Sequence, residues 1–240
     1  MKLFAISDLH LSLFKSKEMD VFGKHWKNHW GQITKDWNER VSDEDVVLIC
    51  GDISWAMHYR EAKPDLDAIC SMPGYKLMLR GNHDYWHSSL TKTRAMLSNK
   101  ADFIQNNAIR LGDYVFAGTR GWKQWEDGFS DEDKKIYTRE VSRMKLSLES
   151  AAKLGGRLIV LTHYPPFDAN KNETDMTRAI AEYSPERVVY GHVHGHAFKH
   201  NDFSDFKMRG RDVQSDILRL FKFSTQRICV IDYFFKRKDQ

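Results

Sequence analysis

Histidine, aspartate and asparagine gather in five short stretches of this chain: Asp8 and His10 in "SDLH", Asp52 in "CGD", Asn82, His83 and Asp84 in "GNHD", His163 in "THYPP", and His192 and His194 in "GHVH". Imidazole, carboxylate and amide oxygen are donor types that bind metal cations. Taken singly, each residue has an ordinary account: Asp8 or Asp52 as a helix N-cap, Asn82 as a turn residue, His163 as a hydrogen-bonded core histidine. Five stretches carrying the same residue types raise a sharper question, whether they are five turns or one site.

The elements that would position them are visible as apolar runs: "KLFAIS" (2–7), "DVVLIC" (45–50), "YKLMLR" (75–80), "YVFAGT" (114–119), "RLIVLTH" (157–163) and "RVVYGH" (187–192). Short continuous runs of this kind suit strands buried on both faces, in a sheet covered by helices. Helical stretches lie between them. Phe22, Trp26, Trp30, Ile33 and Trp37 recur at helical spacing and predict one aromatic face. A second helix is expected to follow Pro64, and a third to run from an N-cap at Ser130 to Gly155 and Gly156. A hairpin-like pair is expected over 103–119. In the last forty residues "DILRLFKF" and "RICVIDYFF" read as further strands, completing a second sheet or an edge. With no linker or repeat in view, a single domain over 1–240 is expected. Each ligand-type cluster directly follows an apolar run, and the C-terminal ends of strands are where α/β folds collect functional groups.

As a set, "DLH", "GD", "GNHD", "TH" and "GHVH" resemble, in order and spacing across residues 8–194, the motifs of the calcineurin-like metallophosphoesterases. The resemblance implies a four-layer α/β/β/α sandwich, two mixed β-sheets packed face to face and flanked by helices. Periodicity alone reaches only an α/β class with buried strands. It also implies that Asp8, His10 and His194 hold one metal ion, that Asn82, His163 and His192 hold another, and that Asp52 bridges both. This donor set suits Mn, Fe or Zn, divalent or of mixed valence. The lack of a thiolate argues against a closed structural zinc site, and four histidines argue against an all-oxygen magnesium site. The implied activity is hydrolysis of a phosphodiester or phosphomonoester by a hydroxide bridging two cations roughly 3.5–4 Å apart. His83 is implied as the acid over the substrate, with Asp84 orienting its ring. Gly81 then reads as the residue that makes the tight turn.

Outside the pattern, Arg120 in "GTRGW" is a better candidate than Arg80 for a guanidinium gripping phosphate, the alternative for both being an ion pair. Tyr164 and Trp55 are candidate pocket walls, with plain packing as the other account. Residues 11–40 separate the first two motifs as a candidate helical cap. His25 and His29 lie four apart within it, but no acidic or histidine partner of similar spacing accompanies them, so a packing helix is preferred to a second metal pair. His196 and His200 read as outer residues of the site or as a solvated loop, and Cys50 as a small buried hydrophobe.

Composition narrows the classes. A chain of 240 residues with 41% hydrophobic residues can build one continuous core. The net charge of +4 is small and dispersed, without the aromatic and basic alternation of a strand-tracking groove. Nucleic acid is therefore not the favoured partner, and a nuclease stands as the alternative to an enzyme acting on a small phosphate ester. A non-catalytic scaffold is a further alternative, and the complete ligand set with His83 argues against it. Cys50, Cys70 and Cys229 form no CxxC pair, and no run of about 18 apolar residues occurs, so a cytoplasmic protein without a membrane span is expected. Oligomeric state has no signature in the chain.

Overall fold

The structure is a computed structural model that describes residues 1–15, 19, 26–124, 128–168, 172–193, 205–207, 217–222 and 229–230. It divides into two compact units, Met1–Phe103 with Phe223–Gln240, and Ile104–Lys222.

The first unit is built on a five-stranded sheet. Its order is β11 (Cys229–Val230), β1 (Leu3–Ile6), β2 (Val46–Ile49), β3 (Tyr75–Leu79) and β4 (Ala101–Ile104). β1, β2 and β3 run parallel, with Ile6 opposite Ile49 and Ile49 opposite Met78, and β11 runs antiparallel to β1. All residues of β1 and β2 are buried, as their unbroken apolar runs require.

The helix over 11–40 begins later than its periodicity predicts. α1 spans His29–Arg40, and Asn28 before it takes a left-handed φ of 51°, which breaks continuity with Trp26. Ile33 and Trp37 nevertheless point into a core with Phe4, Ile6, Val47 and Ile49. Phe22 lies outside the described residues. α2 (Tyr59–Ser71) begins before Pro64 and contains it, and a short α3 (Leu90–Arg94) follows β3 along the chain. Pro64 is exposed, so the carbonyl that its missing amide would have satisfied can turn to water. At the other end of α2, buried Lys76 of β3 donates from Nζ to the carbonyls of Cys70, Met72 and Gly74, at 3.1, 2.6 and 2.6 Å. Burial lowers its pKa to about 8.

The second unit holds a six-stranded sheet. Its order is β5 (Ala108–Leu111), β6 (Tyr114–Thr119), β7 (Arg157–Thr162), β8 (Arg187–Tyr190), β10 (Ile217–Lys222) and β9 (Asp205–Lys207). β5 and β6 form the expected hairpin, turning at Gly112, whose φ is 59°. β6, β7 and β8 are parallel, as are β8 and β10, while β9 is antiparallel to β10. α4 (Asp131–Leu154) starts where predicted, with a capping box between Ser130 and Asp133, and stops at Gly155. α5 (Asp175–Ala181) is capped likewise by Thr174. Met144 and Leu148 of α4 and Ile180 of α5 pack with Val115, Val160 and Val188 of the sheet.

Both sheets are mixed and both carry helices, so the α/β class holds. The two C-terminal runs separate, β10 joining the second sheet and β11 edging the first. Among the described residues no helix is long and apolar enough to cross a membrane.

Candidate metal centre

In the first unit, the loops leaving β1 and β2 are laced together by their backbones. Asp8 N donates to Gly51 O at 3.0 Å, His10 N to Asp52 O at 2.9 Å, and Leu11 N to Ile53 O at 2.9 Å. The lacing holds Asp8, His10 and Asp52 at φ values of 59°, 47° and 52°. A left-handed backbone costs a residue with a side chain on the order of 1 kcal/mol or more, and such strain gathers at functional sites. All three side chains are buried, and one donor atom from each lies within 4.8 Å of the others. His10 Nε2 is 3.7 Å from Asp52 Oδ2. Two carboxylates this close and out of water repel one another, and a cation between them offsets that repulsion. Oxygen and imidazole donors without a thiolate also suit a hydrolytic metal, so the residues present fit the group they were expected to hold.

The "GNHD" turn packs against the same carboxylate. The backbone N–H of His83 donates to Asp52 Oδ1 at 2.8 Å. Gly81 does not take a positive φ; it is glycine because a Cβ there would stand 2.1 Å from Asp52 Oδ1. Close approach, and not turn geometry, demands it. Asn82 lies between these two contacts.

Asp84 has a different task from the one expected. It is fully buried, and its Oδ1 accepts from Ile53 N, Ser54 N and Trp86 Nε1 at 2.8, 3.1 and 3.0 Å, while Oδ2 accepts from Gly81 N at 2.7 Å. Its carboxylate clamps the "GNHD" turn to the loop after β2 and makes no hydrogen bond to the His83 ring. Burial, and then the charge of Asp52, raise its pKa to about 6, against the pull of the N–H groups. His83 is half-buried, and its Nδ1 makes no hydrogen bond. Its ring centroid is 5.6 Å from that of His10 and 4.7 Å from that of Trp55, which is itself stacked on His10 at 4.7 Å.

The second unit presents its own pair. Thr162 and Tyr190 are partners at the ends of β7 and β8, so His163 and Gly191 emerge side by side, with Gly191 N donating to His163 O at 3.1 Å. His192 follows at a left-handed φ of 70°, and the His163 and His192 rings lie 5.0 Å apart. Tyr164 packs on both, its centroid 4.1 Å from His192 and 5.4 Å from His163.

Arg120 contributes through its backbone. Its carbonyl accepts from both His163 N and Tyr164 N at 3.0 Å. Its guanidinium lies over Trp122 at 4.6 Å, and Nη2 is 3.6 Å from Oε1 of buried Glu140. That contact is the ion-pair account, in a buried form.

His194, His25, His196 and His200 lie outside the described residues. His29 is used elsewhere: its Nε2 is 2.9 Å from Leu9 O, and burial lowers its pKa. Sequence reasoning missed Glu140 in the middle of α4, which also bonds Thr119 at 2.5 Å and Arg143 at 2.7 Å. It also missed Tyr85, which carries no periodic signal beyond standing next to "GNHD".

Residues 1–196 match the family model described as calcineurin-like phosphoesterase, and the chain belongs to that family, whose members are generally metal-dependent phosphoesterases. Among individual proteins it is similar to the Gene 66 protein of Mycobacterium phage D29, with 36% identity over 85 residues. That match covers 34% of this chain and 39% of the phage protein's length. Among solved structures it is similar to a protein of unknown function from Aquifex aeolicus, AQ665, at 16% identity and a TM-score of 0.38, covering 70% of this chain and 82% of that one.

Proposed function

We propose that the protein is a dinuclear metal phosphohydrolase acting on a phosphodiester or phosphomonoester of a small molecule, with both units working as one metallophosphoesterase domain. The observation that carries this reading is the buried cluster of Asp8, His10 and Asp52 on strained backbone, with His83 beside it. Family membership supports the rest of the assignment. Asp8, His10 and His194 would hold one cation, Asn82, His163 and His192 the other, and Asp52 both.

Bound Mn, Fe or Zn would polarise the phosphoryl oxygens and make hydroxide available near neutral pH. The protein's own part is positional and acidic. Asp52 is held by its laced loop and by the His83 N–H, so its carboxylate enters the reaction already oriented. His83, with Nδ1 outside any hydrogen bond, is the proposed donor of a proton to the leaving alkoxide oxygen. Asp84 is a positioning residue that keeps the turn in place. Tyr164 fixes the rings of His163 and His192, and Arg120 is not assigned to the substrate.

The test compares hydrolysis of bis-p-nitrophenyl phosphate and p-nitrophenyl phosphate by metal-stripped protein, with and without Mn²⁺, using Asp52→Asn as control. Mn²⁺-dependent turnover that the variant lacks is expected, and the ratio of the two rates separates diester from monoester preference. Bound Mn²⁺ without turnover of either ester would sink the enzyme reading and favour a scaffold.

A further inference from the structure

One side of the metal cluster is lined with aromatic rings that metal binding does not require. Trp55 stacks face to face on His10, with 21° between the planes, and its indole N–H donates to Met19 Sδ at 3.0 Å. It is fixed at both its face and its edge. Trp55 also meets His83 at 4.7 Å, and Tyr85 meets the same His83 ring edge-on at 6.2 Å. Tyr85 is 52% exposed, a large aromatic held open to water two residues from the proposed acid. Its backbone N–H is tied to the His83 carbonyl at 2.8 Å, so ring and acid share one turn. The loops after β1 and β2 also carry two exposed apolar residues, Leu13 at 48% and Met57 at 55%. The two loops are joined by Lys15 and Met57 N, which both bond Glu61.

We propose that Trp55 and Tyr85 form a subsite for a flat aromatic ring carried by the ester group that departs toward His83, so that the substrate class is a small ring-bearing phosphate ester. The inference rests on the phosphohydrolase reading for the direction of departure. A group that takes its proton from His83 comes to lie beside that ring, which both Trp55 and Tyr85 touch. Indole and phenol faces favour another flat ring over a puckered one of equal size, because their quadrupoles align with a planar edge or face.

The experiment measures binding to the Mn²⁺-loaded protein by calorimetry, using phosphonates that cannot be hydrolysed. Benzylphosphonate is compared with cyclohexylmethylphosphonate, and AMP with ribose phosphate. The flat ring is expected to bind roughly three- to tenfold more tightly than the puckered one. Tyr85→Phe should keep this preference and Tyr85→Ala should lose it. Tyr85 is exposed, so its truncation removes little packing. A preference for AMP over ribose phosphate identifies the ring as a nucleobase, and its absence beside a benzyl preference places the ring directly on the ester group. Equal affinity for the two phosphonates in the wild type, or a preference unchanged in Tyr85→Ala, overturns the subsite. The hydrolysis assay above, run on the same samples, separates the two ideas. Turnover without ring preference removes the subsite alone, whereas ring preference without Mn²⁺-dependent turnover removes the phosphohydrolase and leaves the subsite.

Discussion

Gly81 and Asp52 touch so closely that one added methyl group on Gly81 would stand 2.1 Å from Asp52 Oδ1 and 2.2 Å from the Asp52 backbone nitrogen. Neither neighbour is the loose end of a flexible side chain, since Asp52 is bound by its own backbone and by the His83 N–H. Gly81→Ala should therefore displace the proposed bridging carboxylate. Overpacking of this kind costs about 1–3 kcal/mol, and Mn²⁺ affinity should fall at least tenfold by calorimetry. Unchanged Mn²⁺ affinity would show that Asp52 is not a ligand or can move without consequence.

His83 reaches Asp52 through its backbone, and alanine keeps that N–H. His83→Ala should accordingly retain its Mn²⁺ while kcat falls about a hundredfold or more, the loss usual for a general acid. Metal content by elemental analysis and turnover of bis-p-nitrophenyl phosphate decide the matter. If the variant loses metal, the division of roles within "GNHD" is wrong.

Asp84 accepts from four buried N–H groups, which a carboxylate can do and a carboxamide cannot. In Asp84→Asn the NH₂ group must face at least one of those donors. Leaving buried donors unsatisfied costs on the order of 2–4 kcal/mol here, so the urea midpoint should drop clearly and the "GNHD" turn should loosen. A midpoint equal to that of the wild type would mean that the clamp is not a source of stability.

Asp133 caps α4, and its hydrogen bonds with the Ser130 side chain, Lys123 and Trp122 hold its carboxyl well below the usual carboxylate range. A carboxyl whose pKa is lower folded than unfolded contributes stability that is fully present above the unfolded value and is lost as pH falls through the folded one. Asp133→Ala should melt below the wild type at pH 7, and the gap should narrow steadily below about pH 4, where the unfolded carboxyl begins to hold its proton. Thermal scans across that range check this, and a gap that does not change with pH would show the cap to act without its charge.

The sequence by itself carried most of the local decisions that depend on neighbours along the chain. The apolar runs became the strands, Ser130 and Gly155 bounded α4, and the ligand types at the ends of those strands pointed to one chemistry. Boundaries slipped where a single backbone angle intervened, at Asn28, or where a residue was tolerated on an exposed face, at Pro64. What only the tertiary structure decided are relationships between residues far apart in sequence. Gly81 is glycine because of a carboxylate 29 positions earlier. Asp84 spends both oxygens on N–H groups drawn partly from the loop after β2, and Arg120 meets a glutamate buried in the middle of α4. No periodicity encodes these pairings, since each forms only when two strand ends or a strand and a helix are packed side by side. Tyr85 belongs with them: its exposure and its place beside His83 exist only once the turn is folded.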